Sequence, residues 1–222
     1  MAKVISVLAI VAMLATYGGA KWWSQHHIAR AGFWFDQVTF DLPHLRAAGF
    51  GGPLTADERQ TIESIAWSEL RTAFAGLRIE FSDDRQAHYR VCVLQQFAEG
   101  RDTGAAGASR VLRPLGGAGT VNFLMLGSQA VSHAPPGADR QAIVEAIGRG
   151  IGRGAVHEFA HQIVPHVALD DSQDPTSYEY GFSSRPAQYY GEMRWDNAWA
   201  ALVEKLGPVD QTRAAAVHHD RE

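Results

Sequence analysis

Cysteine is all but absent, with Cys92 alone among 222 residues. A single thiol forms no intramolecular disulfide and builds no multi-thiolate metal site. Cys92 stands in the alternating apolar stretch Tyr89-Arg90-Val91-Cys92-Val93-Leu94, which reads as a buried, unreactive thiol. A basic block is missing too. The formal net charge is -4 and the arginines are scattered among acids, so there is no phosphate-tracking surface and nucleic acid is not an expected partner. The glycine-rich stretch at 100–119 lacks the ordered spacing and the lysine of a phosphate loop, and the glycines at 148–154 contain no Gly-x-Gly-x-x-Gly.

No apolar run reaches the roughly twenty residues that span a bilayer comfortably. The longest, from Val4 to Ala15, follows Lys3 and precedes Gly18-Gly19-Ala20, the make-up of a secretory signal. Lys21-Trp22-Trp23 directly after it would suit an interfacial membrane anchor, were the segment retained. The expected organisation is a signal peptide or N-terminal anchor over 1–20, a linker over 21–32, one folded domain over 33–207 and a flexible tail over 208–222. The protein is expected to be secreted or periplasmic, with a membrane tether as the alternative.

Within the domain, 46% hydrophobic residues suffice for one substantial core. Phe33 to Leu42 alternates apolar and polar residues and predicts a strand ended by Pro43. Thr55 and Glu58 have capping-box spacing, and Ile62, Ile65, Ala66, Leu70, Ala73, Phe74 and Leu77 follow at helical intervals, predicting an amphipathic helix that ends near Ala75-Gly76. Strands are expected around Leu77, Ile79 and Phe81, around Tyr89, Val91 and Val93, and, past the glycine-rich loop, around Val121, Phe123 and Met125. A second long helix begins near Ala138, with Ile143, Ile147 and Ile151 spaced by four. Its four glycines suggest close packing of the helix backbone on the sheet, with a helix break as the competing reading. Pro186 and Gly207 bracket a last predicted helix.

The chemistry lies in His157-Glu158-Phe159-Ala160-His161. Residues four apart share a helix face, so two imidazoles can hold one metal ion while the intervening Glu reaches a water beside it. Zinc would bring the pKa of such a water toward about 7 and polarise a carbonyl, leaving Glu158 to act as general base.

A helix, a small sheet and a helix bearing this motif together resemble the zincin metallopeptidases, and within them the metzincins. The resemblance implies an α+β fold with a small mixed sheet packed on a long helix and on the active-site helix. It also implies a Zn2+ cofactor, a peptide or protein substrate, and endopeptidase activity. His157 and His161 would be ligands and Glu158 the base. The metzincin pattern continues as His-Glu-x-x-His-x-x-Gly-x-x-His, and here the sequence departs from it: Val164 replaces the glycine and Val167 the third histidine, with His166 one residue early. Val164 precedes Pro165, which should stop the helix at the same place. His166 is then the first candidate third ligand and Asp170 the next, with Asp171, Glu179 and Glu192 also open. Met193 stands where metzincins carry a methionine beneath the metal, and is equally an ordinary core residue. Tyr180 is the tyrosine that would donate to an oxyanion. Two other functions fit the same residues: a catalytically inactive zincin-like binding module of the cell envelope, and a metal-dependent amidase acting on non-peptide amides.

Overall fold

The computed structural model describes residues 27–40, 52–96, 106–111 and 116–209. The expected signal or anchor, Leu42 of the first predicted strand and the tail beyond 209 lie outside these residues. Among the described residues no helix is long and apolar enough to cross a membrane.

The architecture is mixed α+β, a five-stranded mixed sheet with helices packed on it. The strands are β1 (Ala29–Phe35), β2 (Ile79–Ser82), β3 (Tyr89–Leu94), β4 (Gly107–Val111) and β5 (Gly117–Asn122), in the order β2-β1-β3-β5-β4. All neighbours are parallel except β4, which runs antiparallel to β5 and forms one edge. The first strand begins at Ala29 and ends at Phe35, earlier at both ends than the alternation over 33–42 predicts. Residues 36–40 turn away, and Thr39 anchors the turn by donating to the Val93 carbonyl at 2.8 Å. Gly32 in β1 is required by close approach, because a Cβ there would collide with the Asp84 carbonyl.

Helix α1 (Ala56–Ala73) starts at the predicted capping box: the Thr55 hydroxyl accepts from Glu58 N at 3.2 Å and the Glu58 carboxylate accepts from Thr55 N at 2.8 Å. Asn122 ends β5 and caps α2 (Phe123–Ser132), its side-chain oxygen accepting from Met125 N at 3.0 Å. The alternation of Val121, Phe123 and Met125 therefore does not continue as strand, since the cap turns the chain after Asn122 and buries Phe123 from a helix.

Helix α3 (Arg140–Ile163) runs unbroken for 24 residues through all four glycines. They adapt it to several neighbours. A Cβ on Gly148 would meet the Ile62 carbonyl at 3.0 Å and one on Gly152 the Ala66 carbonyl at 2.7 Å, so these two let α3 lie directly against α1. Gly150 makes room for the Tyr189 ring, and Gly154 alone turns to the sheet, facing Val121 as well as Leu126. The close packing is thus chiefly helix on helix. Buried Ile62, Ala66, Leu70, Ile147, Ile151, Phe159, Phe33 and Val91 form the centre of the core, a burial that outweighs the propensity cost of the glycines, about 1 kcal/mol each.

The last predicted helix is two: a short α4 (Ala187–Tyr190) and α5 (Ala198–Leu206), separated at Gly191. Gly207 adopts φ 73° after α5, and Pro208 and Val209 pair back to Leu77 and Gly76.

Candidate metal centre

Helix α3 ends as Val164-Pro165 requires, with Ile163 its last residue and Val164 at φ -125°, ψ 60°. The final two turns carry His157, Glu158 and His161. Buried Leu169 then holds the returning chain, so that Asp170 comes back over the two histidines. Gly181 permits this return; a Cβ there would stand 3.0 Å from the Asp170 Cβ. A bridge between Asp171 and Tyr180 closes the loop.

Polar atoms of three residues converge. His157 Nε2 lies 3.0 Å from His161 Nε2 and 3.1 Å from Asp170 Oδ1, and His161 Nε2 lies 3.6 Å from Asp170 Oδ2. The orientation of His157 is set from behind by the Tyr178 carbonyl, 2.7 Å from Nδ1. A carbonyl only accepts, so Nδ1 carries a proton and, in the neutral ring, Nε2 presents a lone pair to the cluster. Lone pairs that converge with a carboxylate repel unless a cation lies among them, either a proton or a metal ion.

Donors on a tetrahedral ion at 2.0–2.1 Å stand about 3.3 Å apart, and the three observed separations straddle that spacing. The atoms of His157, His161 and Asp170 lie within 4.8 Å of one another, so this group could hold a metal ion. The charges respond accordingly. Burial alone would lower the His157 pKa, but the Asp170 hydrogen bond, the Glu158 charge and the Tyr178 carbonyl outweigh it and raise it. Burial and the neighbouring His157 lower His161, and the hydrogen bond to His157 lowers Asp170.

Glu158 turns to the other side, toward β4. The missing side chain of Gly107 leaves the space its carboxylate occupies, and Glu158 Oε2 is buried without a hydrogen-bond partner. Burial raises its pKa. The strand is docked on the helix by two further contacts that sequence reasoning did not anticipate: Ser109 donates to the Glu158 carbonyl at 3.0 Å, and Gln162 Nε2 donates to the Ser109 hydroxyl at 3.2 Å. Gln162 also clasps the Arg90 backbone, accepting from its N–H and donating to its C=O, both at 3.0 Å. Gly117 and Gly119 make room for it. The available signal was a buried amide next to His161 together with glycines in a strand.

The other candidate residues lie elsewhere. His166 is exposed on the turn after Pro165 and is not in the group of three. Glu179 is buried, but both carboxylate oxygens accept backbone N–H groups of Asp196, Asn197 and Ala198 at 2.7–3.0 Å, capping α5. Glu192 and Asp171 are exposed and outside the group. Tyr180 lines the same cavity as the cluster, with its ring 4.7 Å beneath the Arg185 guanidinium. Met193 is half-buried against the core. Cys92 is half-buried, and burial pushes its thiol up to about 11, where it stays protonated and unreactive.

The cluster opens on a cavity of about 600 Å3, bounded by β4, by α2 and by the 180–185 loop with Gln188 of α4. Against known proteins, no family model and no curated sequence matches the chain.

Proposed function

We propose that the protein is a zinc-dependent hydrolase of zincin type that cleaves peptide bonds, with His157, His161 and Asp170 as the metal ligands and Glu158 as general base. The observation that carries this reading is the convergence of ligand atoms from His157, His161 and Asp170, 3.0–3.6 Å apart, at the end of the helix that also carries the buried Glu158. Two neutral imidazoles and a carboxylate, with a coordination position left over, are the donor set of a catalytic zinc site, and zinc bound there supplies an acidified water and a Lewis acid for the carbonyl.

The chain's own residues do the rest. Glu158 takes the proton of the attacking water and returns it to the departing amine, and its burial-raised pKa suits a group that must do both. The Tyr178 carbonyl keeps His157 in the tautomer that ligates. β4 is an edge strand whose residues Gly107, Ala108 and Ser109 border the cavity, and an extended substrate can pair along such an edge beside Glu158. An inactive binding module would follow from a missing third ligand, and the position of Asp170 supports the hydrolase reading over it.

Glu158→Gln removes the base and spares the ligands. The full chain should hold zinc as the wild type does while peptide cleavage falls by about a thousandfold or more. Equal turnover by wild type and variant on mixed peptide substrates would overturn the assignment.

A further inference from the structure

Two buried arginines line the cavity beyond the cluster, and their surroundings differ. Arg153 gives Nε and Nη2 to the Glu69 carboxylate at 2.9 and 3.2 Å, and Nη1 to the carbonyls of Ala187, Gln188 and Gly191 at 2.8–3.2 Å. It is saturated. Arg185 is 6% exposed, and among the described residues the one hydrogen bond of its guanidinium runs from Nη2 to Gln188 Oε1 at 3.0 Å. Its Nε and Nη1 are buried without a partner, and among the described residues no carboxylate forms an ion pair with it.

The side chain is nevertheless held in place. It lies on the Tyr180 ring, and Gln188 is fixed in turn by donating to the Gly150 carbonyl at 3.2 Å. Burial lowers the Arg185 pKa to about 10, which still leaves it charged at neutral pH. A fixed, dry cation with free N–H groups is compensated when a ligand brings the missing anion. The acidic residues lining the cavity are Asp170, held by the two histidines, and Glu158, which points toward β4.

The geometry points to Arg185 as a specificity residue: the cavity takes a substrate bearing a carboxylate close to the cleaved bond, and Arg185 pairs with it. This rests on the hydrolase reading for the word substrate, though the anion site stands on its own geometry. In a peptide the carboxylate comes from an Asp or Glu side chain or from the chain's C-terminus.

The test uses zinc-loaded full-length wild type, Arg185→Met and Arg185→Lys on matched peptides: Glu against Gln at each position flanking the cleaved bond, and free C-terminal acid against amide. Wild type should prefer the acid member of one pair by about tenfold or more in kcat/KM, and that pair identifies the source of the carboxylate. Arg185→Met should abolish the preference while leaving the uncharged member within about twofold, and Arg185→Lys should restore part of it. No preference in wild type, or equal slowing of both members by Arg185→Met, overturns the proposal. Calorimetric titration with glutarate keeps it separable from the hydrolase reading. If no peptide is cleaved, binding to wild type that Arg185→Met loses sustains the carboxylate site alone, and identical isotherms refute it.

Discussion

The two sides of helix α3 are built on opposite rules. On the side toward α1, ion pairs are made and backbones abut: Gly148 and Gly152 admit α1, Arg153 pairs with Glu69 through Nε and Nη2, and Glu58 joins the starts of α1 and α3 by accepting from Arg140 at 2.5 and 2.9 Å. On the side toward the 164–191 segment and β4, polar groups converge without completing one another: three lone-pair donors, a carboxylate oxygen and a guanidinium, all around one cavity. Leaving buried polar atoms unpaired is costly, and such groups concentrate where a ligand completes them. The first side supplies rigidity and the second uses it.

Disabling Arg153 and Arg185 tests the contrast most severely. Glu69→Gln strands the Arg153 charge and should lower stability by about 3 kcal/mol, whereas Arg185→Met removes a charge that was never paired and should be neutral or slightly stabilising, within about 1 kcal/mol. Urea unfolding of both variants measures this, and similar losses for the two would erase the distinction. Gly152→Ala should cost about 1–2 kcal/mol, since the Ala66 backbone at 2.7 Å cannot move aside easily and the gain in helix propensity offsets only part of the strain. A thermal melt reads it, and an unchanged or raised midpoint would mean that α1 can shift.

The smallest effect concerns Glu58, whose pKa is lowered from 4.5 to about 2, chiefly by the Arg140 hydrogen bond. A depressed carboxyl stabilises fully above its unfolded value and loses that contribution as pH falls through the folded value. Allowing for solvent screening, Glu58→Gln should cost about 1 kcal/mol at pH 7, and the gap to wild type should close between pH 4.5 and pH 2. A gap independent of pH would assign the loss to the cap alone.

What the sequence revealed followed from local rules. The capping box at Thr55, the stop at Val164-Pro165 and the pairing of His157 with His161 each depend on residues within a few positions of one another, and all are present. What stayed hidden depends on distant neighbours. β4 was legible only as a glycine-rich loop because Gly107 has no side chain where Glu158 comes in. α2 was hidden by an alternation that Asn122 interrupts, and the final helix was read through Gly191 because Pro186 and Gly207 offer a start and a stop. The choice among His166, Asp170 and the other acids depends on how the chain folds back after Pro165, which spacing alone does not encode.

The proposed hydrolysis requires that His157, His161 and Asp170 converge on one metal ion. Zinc titration of the chelator-stripped full chain tests it directly. One equivalent should bind to wild type, and Asp170→Ala should weaken it by about a hundredfold or more. Failure of the wild type to take up stoichiometric zinc in excess metal, or equally tight binding by Asp170→Ala, would contradict it.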